Sequence, residues 1–373
     1  MGWLGRKSAA AVRPFVPVWL GSGDEAGFVR SYDAQYDEVY RTNPVGQRAV
    51  RLVAGMLGGL AIDAPEGGEP ALKLIGQDGL LERLAAALLL HGNGYVQLIA
   101  GPDDRPAELC ALRPERVSVA TDENGYPTAY VYRAGQRTVR IAARDALARR
   151  QVAHIRALSP SDDHYGMGCL NAAIAAASVH NRASRWNKAL LDNAARPSGA
   201  LVYEPGDGSG LSAEQFERLQ GELAEQFSGS CNAGRPMLLE GGLKWQALSL
   251  SPAEMDFVAL KEGAARDIAL AFGVPPVLVG LPGDATYANA REAGRALYRQ
   301  TVLPMAGTIL RGLGAMLTDW LGPVRFAVDA DRITELAEDR AMLWRQVGAA
   351  DFLSRAEKRV QLGFAVEDEE AGG

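Results

Sequence analysis

Residues 272–298 read FGVPPVLVGLPGDATYANAREAGRALY and join two long helical patterns through a segment that cannot itself be helical. Gly273 is a C-terminal stop, Pro275 and Pro276 forbid continuation, and Pro282-Gly283-Asp284 makes a second break. Helix restarts at Thr286, an N-cap residue type, and continues for about thirty residues. A short, stiffly punctuated loop between two long helices is held accurately at a distance from a core.

Upstream, Ser251 and Glu254 have capping-box spacing with Pro252 at the first helical position. Phe257, Leu260, Ala264, Ile268 and Ala271 then mark one helix face up to Gly273. An earlier long helix over residues 168–193 carries Leu170, Ile174 and Ala177, then Val179, Ala183, Trp186 and Leu190 on a neighbouring face. Arg182, Arg185 and Lys188 form a cationic stripe on it. That stripe is either a solvated face or a contact with DNA or another subunit. Between the two helices, residues 196–250 read as strand, helix, strand, strand. Ser212 and Gln215 cap the helix, and Gly229 to Gly234 is a loop. Downstream, Tyr298, Val302, Met305, Ile309, Leu313, Met316 and Trp320 line a third long helix that Pro304 should kink. A strand over 324–328, helices near 333–347 and 354–363, and the acidic tail Glu367-Asp368-Glu369-Glu370 complete the chain.

The amino-terminal half is mixed. Residues 1–30 show no sustained period and read as an arm, with the first folded element beginning near Asn43. Val45, Ala49, Leu52, Val53 and Met56 recur at helical spacing. A helix over 78–91 ends at Gly92-Asn93-Gly94, a left-handed turn into the strand Tyr95 to Ile99. Short strands at 117–119, 126–132, 138–141 and 152–155 predict a small twisted sheet or open barrel, with Asp122-Glu-Asn-Gly125 as a hairpin tip.

The sequence carries little catalytic chemistry. The histidines, His91, His154, His164 and His180, follow no zinc spacing, and no metal or cofactor is expected. The Asp162, Asp163 and His164 cluster sits in a turn, where capping is the plainer role. A hydrolase or nuclease using it is the alternative. Cys110, Cys169 and Cys231 are odd in number and scattered, which argues against a disulfide framework and suits a reducing cytoplasm. No phosphate-binding loop is present, so the chain is not an ATP-driven motor. The longest apolar stretch, Leu84 to Leu90, is far short of the ~20 residues a membrane span needs. The net charge of −6 opposes a tight grip on nucleic acid.

The segment FGVPP…TYAN and the phrase RPSGAL…LSAEQFERLQ…GRPMLLEGGLKWQALSLSPAEMDF resemble the portal proteins of long-tailed bacteriophages, including those of gene transfer agents. The resemblance runs over residues 43–365, with a GNAY-type turn at Gly92 to Tyr95. Ala288 stands where that family commonly has Ser. The resemblance implies an α+β portal architecture and no enzymatic activity. Its parts would be an arm (1–42), a wing (43–160), a first stem helix (161–195), an inserted clip (196–250) and a second stem helix (251–274). A tunnel loop (275–290), a kinked tunnel helix (291–322), and a wing strand with a short helical crown (323–373) would complete it. It implies a ring of about twelve copies at one capsid vertex of a virion or phage-like particle, assembled in the bacterial cytoplasm. The ring would pass double-stranded DNA without reading its sequence and dock the terminase large subunit, a head–tail adaptor and the major capsid protein. Gly283, Asp284, Thr286, Tyr287, Asn289 and Arg291 would touch the DNA. Pro197, Tyr203, Glu204 and Trp245 would meet protein partners. Another head–tail connector component is a further alternative.

Overall fold

The computed structural model describes residues 31–64, 68–192, 199–203, 212, 214, 217–218, 243–247, 257–281 and 286–363. The chain divides into two compact units, 1–174 with 269–373, and 175–268.

In the first unit, helix α1 (Tyr32–Tyr36) continues as a π-helical turn over Asp37–Arg41. These residues fall in the expected arm, yet they are folded. Gln35 and Val39 are buried, and Tyr32, Tyr36 and Tyr40 follow one another along one side in ring-to-ring contact. Four-residue spacing of tyrosines is a helical face that an apolar-only count overlooks. Helix α2 (Pro44–Gly58) starts where Asn43 Oδ1 accepts the Val45 and Gly46 amides, both at 3.0 Å. After strand β1 (Ile62–Asp63) and helix α3 (Glu69–Ile75), helix α4 (Leu80–His91) packs on α2. Leu80, Leu81, Leu84, Ala85, Leu88, Leu89, Leu90 and His91 are all buried. A helix apolar on nearly every side belongs in a core.

Strands β2 (Asn93–Ala100), β3 (Pro106–Leu112), β4 (Val117–Thr121), β5 (Pro127–Ala134), β6 (Arg137–Ala142) and β7 (Val152–Arg156) make two antiparallel three-stranded sheets, ordered β3-β2-β7 and β4-β5-β6. The expected single sheet or barrel is therefore two sheets sharing one core. Tyr95, Leu112 and Val152 of one meet Val117, Val119, Tyr130 and Ile141 of the other. Strand β3 is hidden in the sequence because Pro, Ala and Glu depress its strand propensity. As an edge strand opened by Pro106 it is nonetheless well formed.

Helix α5 (Leu170–Asp192) begins in this unit and runs into the second. Helix α6 (Phe257–Ala271) returns. Helix α7 (Tyr287–Leu297), a π-helical turn (Tyr298–Val302) and helix α8 (Leu303–Leu321) then form one helical run. The kink expected at Pro304 is an irregularity just before it, where a wider turn accommodates a ring that would strike the carbonyl four residues back. Over Ala288–Leu321 the run is long and apolar enough to cross a membrane, contrary to the expectation from apolar stretches alone. Its apolar side (Val302, Ala306, Ile309, Leu310, Leu313, Met316 and Leu317) is buried, however. It packs on β7 and α4 as a core helix does. A Cβ at Gly312 would lie 2.6 Å from Ile155 Cγ1, so only glycine allows α8 this close to β7. Strand β10 (Ala327–Val328) pairs with β1, and helices α9 (Ala337–Ala349) and α10 (Arg355–Gln361) come last.

In the second unit, strands β8 (Gly199–Tyr203) and β9 (Leu243–Ala247) pair antiparallel, with Leu201 opposite Trp245 and Tyr203 opposite Leu243. The expected helix over 212–227 and the 229–234 loop lie largely or wholly outside the described residues. Ala177, His180, Asn181 and Ala183 of α5 and Ala264, Ala265 and Ile268 of α6 are buried. His180 is held below the ordinary imidazole range, first by burial and then by Lys261.

Candidate functional site

The loop between α6 and α7 is anchored on its upstream side. Phe272 and Val274 are buried where α6 ends. Gly273 adopts a left-handed conformation (φ 65°), its amide and that of Val274 closing on the Leu270 and Ala269 carbonyls. The Thr301 hydroxyl donates to the Gly273 carbonyl at 2.8 Å, tying the loop base to the helical run it precedes. A short 3-10 turn, Pro276–Val279, ends at left-handed Gly280. Pro282, Gly283, Asp284 and Ala285 lie outside the described residues. On the far side Thr286 caps α7, its Oγ1 accepting the Asn289 amide at 3.2 Å, as its residue type predicts. Thr286 and Asn289 are exposed, and Tyr287 opens the helix.

The resemblance implies that Arg291 faces DNA. Its guanidinium instead meets Glu338 of α9 at 2.8 Å. One turn on, Arg295 reaches Glu338 at 2.9 Å, Glu292 at 3.0 Å and Asp339 at 3.5 Å. One turn further, Arg299 pairs with Asp339. Three arginines on one side of the helical run are thus matched by three carboxylates, and the hydrogen bond to Glu338 is the main reason the Arg295 pKa is raised. The helix after the loop turns its cations onto its own protein and leaves neutral groups at its start. Arg295, Arg299, Glu338 and Asp339 form a cluster of ion pairs beside the loop that sequence reading does not single out. The four-residue spacing of Arg291, Arg295 and Arg299 is the available signal.

The other expected sites lie apart from this one. Arg182, Arg185 and Lys188 are exposed on α5 in the second unit. Tyr203 and Trp245 lie in the β8–β9 pair, while Pro197 and Glu204 lie outside the described residues.

The described residues with the means for chemistry are engaged in turns and packing. Asp162 Oδ1 accepts the His164 and Tyr165 amides at 2.7 and 2.9 Å, and the Arg156 guanidinium donates to the Asp163 carbonyl. His154 stacks on Tyr95, meets Asn93 Oδ1 at 3.1 Å, and is pushed by burial to a pKa of about 3. His91 stacks on Tyr32 and hydrogen-bonds its hydroxyl, with burial lowering it also to about 3. It is neutral, so its 3.6 Å approach to Glu115 is not an ion pair. Burial raises the Cys169 thiol to about 11, which disfavours the thiolate that reactive cysteines need. Among the described residues no His, Cys, Asp and Glu group has metal-binding geometry.

The Gly92-Asn93 turn is a junction. Gly92 is left-handed (φ 74°), and a Cβ there would lie 2.3 Å from the Met167 carbonyl carbon. Asn93 donates to the His91 and Gly166 carbonyls and accepts the Gly166 amide. The Ala157 amide donates to the Gly92 carbonyl and the Cys169 amide to that of Leu89. These bonds fix the segment that launches α5.

The chain is similar to known proteins over most of its length. An uncharacterized protein of Rickettsia bellii is 38% identical over 349 residues, 88% of each chain. A chain from the virion of a native gene transfer agent particle is 44% identical, with a TM-score of 0.69 over 91% of this chain and 95% of that one. A chain from the neck of a native gene transfer agent particle computed with C12 symmetry is 43% identical, with a TM-score of 0.69 over 91% and 94%. The model of the phage portal protein family matches residues 73–363. The chain belongs to the phage portal protein family.

Proposed function

We propose that this portal protein assembles as a closed ring of twelve copies at the neck of a phage or gene transfer agent particle, and that DNA passes along the ring axis. The carrying observation is its 43% identity, over 91% of its length, to a neck chain with C12 symmetry. The role is structural. In this reading 43–160 is the wing, 161–195 and 251–274 the stem, and 196–250 the clip. Residues 275–290 form the tunnel loop, 291–322 the tunnel helix, and 323–373 the wing strand and short crown.

The chemistry at the start of α7 favours sliding over gripping. A cation aimed at passing phosphate would hold it and make passage salt-dependent. Here Arg291, Arg295 and Arg299 are already compensated by Glu292, Glu338 and Asp339. Exposed Thr286 and Asn289 offer neutral hydrogen bonds, which position a duplex without reading it. Gly283, Asp284 and Tyr287 complete the contact in this proposal. The clip, with Pro197, Tyr203, Glu204 and Trp245, serves the terminase large subunit during packaging and a head–tail adaptor afterwards. The wing faces the major capsid protein. Native mass spectrometry of the purified protein tests the assembly. Twelve chains of 39.7 kDa give about 0.48 MDa, and a chain that stays monomeric at high concentration overturns it.

A further inference from the structure

We infer that neighbouring copies meet along two helix stripes, α5 of one copy against α6 of the next, in a single antiparallel register. This rests on the ring reading above. On α5, Val179, Arg182, Trp186 and Ala189 are exposed and recur in steps of three, four and three. They lie on the side opposite buried Ala173, Ala177 and Asn181. On α6, Leu260, Gly263, Asp267 and Leu270 are exposed and recur in the same steps, away from buried Ala264, Ala265 and Ile268. That spacing is the seam one helix offers another. Large apolar groups are exposed in part along both stripes, with Trp186 49%, Leu260 49% and Leu270 76% exposed.

Laid antiparallel, the stripes match at every step. Val179 meets Leu270, apolar on apolar. Arg182 meets Asp267, cation on anion, and neither forms an ion pair among the described residues. Trp186 meets Gly263, the largest side chain over the smallest. A Cβ built at Gly263 finds no atom within 4 Å, so the space above it is open to an indole. Ala189 meets Leu260, small against large. Laid parallel, the stripes would set Arg182 on Gly263 and Trp186 on Asp267, leaving both charges uncompensated. Two different surfaces meeting head to tail do not stop at a dimer, and they close into a ring where the rotation between copies closes. Arg182 of the cationic stripe is thus a subunit contact.

The test uses the full chain and two charge reversals, Arg182→Glu and Asp267→Arg, read by native mass spectrometry with circular dichroism to confirm folding. Each variant alone sets like charges together at every interface and should lose the ring mass. An equimolar mixture should regain assembly, because the glutamate introduced in one variant can then face the arginine introduced in the other. The doubly reversed chain should also form rings. Rings from either single variant, or no recovery in both the mixture and the doubly reversed chain, overturn the register. If wild type forms no ring in the same buffer, the ring reading itself falls.

Discussion

The turn at Gly92-Asn93 and the face between α7 and α9 hold chain segments together by opposite means. At the turn, backbone touches backbone, and the Asn93 amide commits its hydrogen bonds to the His91 and Gly166 main chain. Nothing there can be replaced without moving the chain. At the α7–α9 face, long side chains that range from exposed Arg291 to half-buried Arg295 and Asp339 meet in ion pairs, and on α9 only Val347 is buried. Water and salt compete for each of those pairs. The first region is geometry that must not yield. The second is a surface whose charge is balanced yet adjustable.

Substitutions at the turn should therefore dominate. Gly92→Val forces a branched residue into a left-handed conformation against the Met167 backbone. The expected loss exceeds ~4 kcal/mol, read as loss of the folded protein in urea titration. A variant with wild-type stability would break the contrast.

Acid should act on the same dry region next. His91 and His154 titrate near pH 3 when folded, below their unfolded value of about 6.5. The unfolded chain binds these protons first, so stability is full above pH ~6.5 and is lost as pH falls towards 3. Between pH 7.5 and 5 each histidine should cost ~2 kcal/mol, and in His154→Gln the measured loss should roughly halve.

Asn93→Ala strands the Gly166 amide and two carbonyls in a buried site, an expected loss of ~2–3 kcal/mol by chemical denaturation. At the loop the effects become local. Thr286→Ala removes the α7 cap, worth ~1 kcal/mol, and should show as faster hydrogen exchange of the Asn289 amide with little change in global unfolding. Smallest of all, Arg291→Gln should cost less than ~0.5 kcal/mol at low salt and nothing measurable at 1 M. A large, salt-insensitive loss would mean the α7–α9 pairs are a rigid part of the core.

The long helices and their punctuation are legible in the sequence because helical spacing, Pro and Gly act locally. Thr286 can be read as a cap from residue type alone. Strand β3 and the division into two sheets are not legible, because pairing partners are chosen by long-range packing that no local propensity reports. The α1 helix hides behind tyrosines. At the candidate site the residue types around Thr286 are readable. The compensation of Arg291 is not, since Glu338 lies 47 positions away. The proposed contact between α5 of one copy and α6 of the next needs the exposure of each position, which residue types alone do not disclose.

Central to the proposed function is that DNA passes a twelve-fold ring whose axis is lined by the start of α7. Cryo-electron microscopy of the assembled ring with a DNA segment in place tests it directly. Twelve copies are expected, with Thr286 and Asn289 facing the duplex and Arg291 still on Glu338. A ring carrying the start of α7 on its outer rim, or a duplex held by Arg291 and Arg299 drawn away from their carboxylates, would contradict it.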